Sequence, residues 1–179
     1  MSTGLIARTT ATLLLFGLAG CTAYAQSASP AKPVLQPAPH AIQVLQIESS
    51  EIKLPPAFQM AIYEHSLDEI KKTALFQEIY RDGDRRASGA TDLVTLKTDV
   101  TGFKKGSAMA RQVTTVAGKT SIKVHIEVVK GDGTVLAQKD VEGKVRFFGE
   151  NMRATFDLSK AIAKALKENF KKPAAAGKS

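Results

Sequence analysis

Few residues of this chain have the spacing that catalytic chemistry requires. Gly118-Lys119-Thr120 ends like a phosphate-binding loop, but Val113 stands where such a loop needs its first glycine. The chain contains no G-x-S-x-G sequence, which presents the nucleophile of many esterases. Glu48 and Glu51 could form a carboxylate pair of the kind that glycosidases use, although the sequence gives no geometry for it. We therefore expect no catalytic residue.

The histidines and one acidic segment also lack the pattern of a metal site. His40, His65 and His125 share no metal-ligand spacing, so each is expected at the surface. Asp82-Gly83-Asp84 lacks the glutamate that would complete a twelve-residue calcium loop, and it predicts a turn. We expect neither a metal nor a cofactor.

Cys21, the only cysteine, closes a segment that resembles the lipobox of bacterial lipoproteins. Arg8 and the amino terminus supply positive charge, and residues 11–18 form an apolar run. This run is too short to span a bilayer core, which needs roughly 20 residues. The small pair Ala19-Gly20 lets an extended backbone enter a peptidase cleft. With one cysteine, no disulfide can form within the chain.

The lipobox resemblance implies processing and anchoring. Cleavage would follow Gly20, Cys21 would carry a diacylglycerol thioether, and the new amino group would be acylated, typically by palmitate. Thr22 replaces the aspartate that marks inner-membrane retention, which implies the outer membrane, with the domain in the periplasm. Ala23-Tyr24-Ala25 offers an alternative cleavage site, and its use would release a soluble periplasmic or secreted protein.

Composition and charge indicate the domain organisation and the partners. We expect residues 1–20 to be the signal peptide and residues 21–41 to be the lipid anchor with a linker rich in Pro, Ala and Ser. Residues 42–171 are expected to form a single domain, and residues 172–179 a disordered tail.

The net charge of +8 falls to +7 without the leader, because Arg8 is the only charged side chain in the leader. Such a protein favours anionic lipid, acidic polysaccharide or peptidoglycan as a partner, and its compartment excludes nucleic acid. A merely solvated basic surface is the alternative.

The pattern of apolar residues predicts an α+β fold: a mixed, largely antiparallel sheet of about five strands with two helices packed on one face. Alternation over 122–128 and again from Val135 predicts a hairpin, with Gly131-Asp132-Gly133 as its turn. Residues 42–47, 76–80 and 92–103 predict further strands, the first of them central, and Pro55-Pro56 opens a helix that ends near Thr73.

The last predicted helix, 156–171, carries a candidate binding surface. Leu158, Ile162, Leu166 and Phe170 recur every four residues and predict its buried face. A second row of residues is basic and would suit an anionic partner; alternatively, it is only the solvent-exposed face of the helix. This row consists of Lys160, Lys164, Lys167 and Lys171.

The segment from Asp92 to Phe170 resembles a bacterial lipoprotein family catalogued as domain of unknown function 4410. The shared features are Leu93-Val94, Thr101-Gly102-Phe103, Gly106-Ser107, Ala110-Arg111, the hairpin with Gly133-Thr-Val-Leu-Ala137, Gly143 and the closing helix. The usual glycine-rich stretch before the hairpin is reduced here to Gly118. The family carries no assigned activity, so the resemblance implies fold and placement only.

These observations predict a non-enzymatic binding or assembly module of the cell envelope, anchored in the outer membrane through Cys21. Its partner would be an envelope protein, peptidoglycan, or an anionic lipid or polysaccharide, reached through a sheet edge or the basic face. The alternatives are the soluble secreted form and a hydrolase of envelope glycans or lipids. Such a hydrolase would recruit Glu48, Glu51, Asp82 or His65.

Overall fold

The computed structural model describes residues 35–107, 119–145 and 152–172, which all belong to one unit, Pro33–Ser179. The strands of this part are β1 (Gln36–Pro37), β2 (Ala41–Val44), β3 (Glu78–Arg81), β4 (Leu93–Lys104), β5 (Thr120–Lys130), β6 (Val135–Val145) and β7 (Phe170–Lys171); the helices are α1 (Pro56–Thr73), α2 (Arg153–Asn169) and a 3₁₀ helix, Arg85–Gly89.

The β5–β6 hairpin follows from the alternation of apolar and polar residues. Its turn uses Gly133 at φ +86°, a conformation that glycine adopts without steric cost. The Asp132 carboxylate accepts a hydrogen bond from the Thr134 amide at 2.8 Å, which fixes the loop. Val124 pairs with Val141 across the two strands, and β4 pairs antiparallel on the other side of β5. The predicted hairpin is confirmed.

Strand β2 lies inside the sheet, as predicted. The five-stranded sheet has the order β3-β2-β4-β5-β6, and β2 runs parallel to both of its neighbours. A parallel pair needs a crossover connection, which α1 supplies between β2 and β3. The observed β2 is shorter than the predicted strand, because only residues 41–44 pair with strands on both sides.

Both helices cover one face of this sheet, and the predicted α+β class is confirmed. The buried face of α2 packs on β5 and β6, and α1 packs beside α2. The central core residues are fully buried and aliphatic; they include Ile42, Val94, Leu96, Ile122, Val124, Ile62, Leu158 and Ile162. Within the described residues, no helix is both long enough and apolar enough to cross a membrane.

Small side chains let the two helices approach each other. Ser159 is fully buried in α2 and donates to the carbonyl oxygen of Thr155 at 2.9 Å. Ser66 of α1, also buried, donates to the Ser159 hydroxyl at 3.2 Å. Ser66 lies on the buried face of α1 between Ile62 and Ile70, so a polar residue interrupts the apolar stripe of that helix.

The chain enters and leaves the described domain side by side. Gln36 pairs with Phe170 and Pro37 with Lys171, in parallel register. Strand β1 therefore lies within the segment that the sequence assigns to the linker. Helix α2 ends at Asn169 instead of Lys171, because Phe170 turns to an extended conformation with φ −121° and ψ 137°. The Phe170 side chain remains buried in the core, as predicted.

Candidate functional site

The predicted lipidation residue lies outside the part of the chain that the structure describes. Gly20, Cys21 and the alternative cleavage site at Ala25 all precede residue 35. Acylation of Cys21 therefore stays a prediction of the sequence.

The structure does not assemble the residues named for a hydrolase. Glu48 and Glu51 are exposed. The Asp82 carboxylate accepts a hydrogen bond from the Gln46 amide at 3.3 Å, and the His65 ring stacks on Phe156. Within the described residues, no hydrogen bond or ion pair joins any two of the four candidates. Asp84, in the segment considered for calcium, caps the 3₁₀ helix.

The open face of the sheet, which the helices leave uncovered, carries a polar groove around His125. The groove has a volume of about 320 Å³, and Glu48, Asp99, His125 and Glu127 are among its lining residues. Three strands bring these groups together, since Asp99 pairs with His125 in the β4–β5 ladder and His125 pairs with Asp140 in the β5–β6 ladder. The sequence placed His125 on a polar strand face, but it gave no sign of this cluster.

The carboxylates of the groove favour the protonated histidine. His125 Nδ1 lies 2.6 Å from an Asp140 carboxylate oxygen, and Nε2 lies 3.6 Å from a Glu127 oxygen. The hydrogen bond to Asp140, more than any other cause, raises the pKa of His125 above its usual value. One Asp99 oxygen is buried without a hydrogen-bond partner within the described residues. The groove therefore favours cationic or hydrogen-bond-donating groups over anions.

This cluster does not have the geometry of a metal centre. No group of three or more His, Cys, Asp or Glu side chains among the described residues could hold a metal ion. In the described part of the chain, the hydrogen-bond partner of the His125 ring is the Asp140 carboxylate, and no hydroxyl or thiol is bonded to it.

The predicted basic row lies on the outer face of α2. Lys160, Lys164 and Lys167 are exposed along the helix, and Lys171 is exposed in β7 just beyond its end. The structure adds Phe156 to the same face, one turn before Lys160, where it is 48% exposed. Its ring stacks on His65 of α1 with a centroid distance of 3.6 Å.

The two acidic residues of α2 beside this row point toward β6. The Asp157 carboxylate accepts a hydrogen bond from the Lys144 amide at 2.8 Å. Glu168 pairs with Lys139 of β6 and lies 3.9 Å from the Lys164 ammonium. Neither Lys160 nor Lys167 forms an ion pair within the described residues.

Strand β6 forms one edge of the five-stranded sheet. Among the described strands it pairs only with β5. The backbone amide of Lys144 bonds to Asp157 and therefore points away from β5. In an antiparallel ladder every second amide points to the same side, so the amides of Gln138, Asp140 and Glu142 also point outward. Such a row of outward amides is a template for pairing with another strand.

Comparisons with known proteins support the fold and go no further. No protein-family model and no curated protein matches the chain. Among solved structures, it is similar to the PelC dodecamer from Paraburkholderia phytofirmans, with a TM-score of 0.57, 11% identity and coverage of 79% of this chain and 96% of that chain. A single-substitution variant of that dodecamer aligns over the same shares at a TM-score of 0.53 and 11% identity. A hypothetical protein from Chlamydia trachomatis aligns over 73% of this chain and 90% of that chain at 9% identity, with a lower TM-score of 0.42.

Proposed function

We propose that this chain is an outer-membrane lipoprotein, anchored through Cys21, that acts in the cell envelope as a non-catalytic assembly module. The lipobox pattern supports the anchor. The role without catalysis is supported by the sequence, which contains no recognisable catalytic motif. We also retain the inferred relationship to domain of unknown function 4410, which rests on the order of motifs between Asp92 and Phe170.

The open edge of β6 is the observation that carries the assembly role. The amides of Gln138, Asp140 and Glu142 form a row of outward backbone donors on this strand, whereas the Lys144 amide is already bound by Asp157. We infer that β6 pairs with an edge strand of a second copy of this chain, because the same fold occurs in a protein solved as a dodecamer. Strand β3, at the opposite edge, allows the contact to repeat from copy to copy, as a heterologous interface requires.

The anchor is tested by the mass of the protein isolated from bacterial membranes. We expect a chain that begins at Cys21 and carries three acyl groups, and we expect the Cys21→Ser variant to lose both this mass and membrane association. Material that begins at Gln26 without added acyl mass would establish the soluble alternative instead.

The assembly role is tested by native mass spectrometry of the detergent-solubilised protein and of two variants at Gln138. Gln138→Pro removes one outward amide and leaves the β5–β6 ladder intact, whereas Gln138→Ala shortens the side chain and keeps the amide. We expect the proline variant alone to raise the dissociation constant of the oligomer, by about ten-fold or more.

Two results would contradict this interface. A wild-type protein that stays monomeric at micromolar concentration overturns self-assembly, and recovery of a different protein at the edge would then identify another partner. An oligomer that tolerates Gln138→Pro overturns β6 as the contact. Circular dichroism of both variants establishes that they fold.

A further inference from the structure

We propose that the outer face of α2 docks onto an anionic lipid bilayer, with Lys160 and Lys167 against the headgroups and Phe156 at the level of the upper acyl chains. This inference rests on the proposed anchoring through Cys21 and adds the surface by which the domain meets the membrane. The residues that define this docking face are Phe156, Lys160, Lys164 and Lys167.

Two of the three lysines of the docking face, Lys160 and Lys167, have no acidic side chain to balance them among the described residues, whereas Lys164 lies 3.9 Å from Glu168. The acids of α2 are engaged on the side of β6, where Asp157 caps the Lys144 amide and Glu168 binds Lys139. Lys160 and Lys167 have no acidic partner in the described domain. Because this positive charge needs no rearrangement to become available, an anionic surface is the complementary partner.

Phe156 gives the docking face an apolar component. A phenylalanine that is 48% exposed costs free energy in water, and its stacking on His65 covers only part of the ring. Basic side chains with an exposed aromatic residue on one helix face are typical of helices that lie in a membrane interface. A polyanion in solution would use the lysines but would leave Phe156 in water.

The route of the chain allows this face to reach the membrane in which the proposed anchor lies. Leu35 follows Cys21 by fourteen residues, which span about 50 Å at most when fully extended. The described part begins beside the end of α2, because β1 pairs with β7 and the Ala38 amide donates to the Lys171 carbonyl oxygen at 3.1 Å. A helix of 17 residues is about 26 Å long, so all of it lies within reach of the surface.

Tryptophan fluorescence tests the docking directly, since the natural chain contains no tryptophan. Phe156→Trp places a single reporter on the docking face, and Val135→Trp places one at a site of similar exposure, 46%, on the β5–β6 hairpin. Both proteins are mixed with vesicles of phosphatidylcholine and roughly 30 mol% phosphatidylglycerol with brominated acyl chains. We expect a blue shift and at least two-fold quenching for Phe156→Trp, and little change for Val135→Trp.

Charge variants in the Phe156→Trp background separate the contribution of the lysines to vesicle binding from that of the lipid anchor. We expect Lys160→Gln with Lys167→Gln to weaken vesicle binding by roughly five-fold per lysine, and high salt to weaken it similarly. The matched pair Lys97→Gln and Lys123→Gln makes the same charge change on the open sheet face and should have little effect. If the two pairs weaken vesicle binding equally, the binding depends on net charge alone, and the docking face is overturned.

The mass of each sample distinguishes failure of the docking from failure of the anchor. Acylated protein whose Phe156→Trp reporter is not quenched overturns the docking face and leaves the lipoprotein assignment standing. Protein without acyl mass whose reporter is quenched by added anionic vesicles overturns the lipoprotein assignment and leaves the docking face standing. Equal quenching of both reporters would also overturn the proposal, since the contact would not be specific to α2.

Discussion

At the scale of single residues, the fold changes the ionisation of the His125 side chain. It is bracketed by carboxylates on its own strand and on both neighbours: Glu127 on β5, Asp99 on β4 and Asp140 on β6. The Asp140 carboxylate, which is the main cause of the shift, acts on His125 only in the folded chain, because the pairing of β5 with β6 brings it to the ring. The pKa of His125 is therefore higher in the folded protein than in the unfolded one.

This difference predicts a pH-dependent contribution to stability. A raised pKa stabilises the folded state below the unfolded value of about 6.5, and the gain is lost as pH rises through the folded value. We expect the gain to stay below about 1 kcal/mol, because His125 is about a third exposed and the pair is screened by water. Urea unfolding at pH 5.5 and pH 8, compared between wild type and Asp140→Asn, measures it.

The Asp140→Asn variant also allows the pKa of His125 to be compared with that in the wild type by nuclear magnetic resonance. Asp140→Asn should lower the pKa of His125 in the folded protein, because the main cause of the shift is removed. Titration of the His125 ring proton follows this change directly. An unchanged His125 titration would show that Asp140 is not bound to the ring in solution.

At the scale of elements, Gly143 sets how closely α2 lies on the sheet. A Cβ added at Gly143 would lie 2.5 Å from the Leu158 backbone nitrogen, closer than real Cβ atoms approach other atoms. The helix backbone therefore rests directly on β6, and a strand glycine of this kind marks a close backbone approach.

We predict that Gly143→Ala lowers the free energy of unfolding by about 3 kcal/mol, since the helix must move outward to admit the methyl group. Gly89→Ala is the matched control, because nothing lies within 4 Å of its added Cβ and its φ is not positive. Urea denaturation of both variants provides the comparison. Equal stability of the two would contradict the close packing of α2 on β6.

At the scale of the whole molecule, the β1–β7 pair joins the beginning of the described domain to its end. Phe170 fixes this junction, since its ring is 2% exposed and lies against Phe76 at a centroid distance of 6.2 Å. The position of β1 at the beginning of the described domain therefore depends on a side chain near its end.

Removal of this ring should loosen the junction. Phe170→Ala is expected to cost about 3–5 kcal/mol of stability, as large core truncations do. It should also speed hydrogen exchange of the Ala38 amide, which donates to the Lys171 carbonyl oxygen. Phe156→Ala removes an exposed ring of the same size and should cost less than about 1 kcal/mol. Similar losses for the two variants would contradict the buried position of Phe170.

The candidate surfaces were predictable to different degrees. The lysine row of α2 follows from spacing, because residues four apart share a helix face. The exposure of Phe156 does not, since a phenylalanine at the start of a helix is equally compatible with burial. The carboxylates around His125 were also unpredictable, because Asp99 and Asp140 reach it only through the registers of two strand pairs.

The sequence by itself determined the elements that have a local period: the alternating hairpin of β5 and β6, strand β4, and the stripe of α2. Periodicity alone suffices there, because each pattern matches the repeat of its own backbone. The tertiary structure decided the parallel pairing of β2 with β3 and β4, the β1–β7 junction and the direction of the acids on α2. These features depend on contacts between residues far apart in the chain, and no local pattern encodes them.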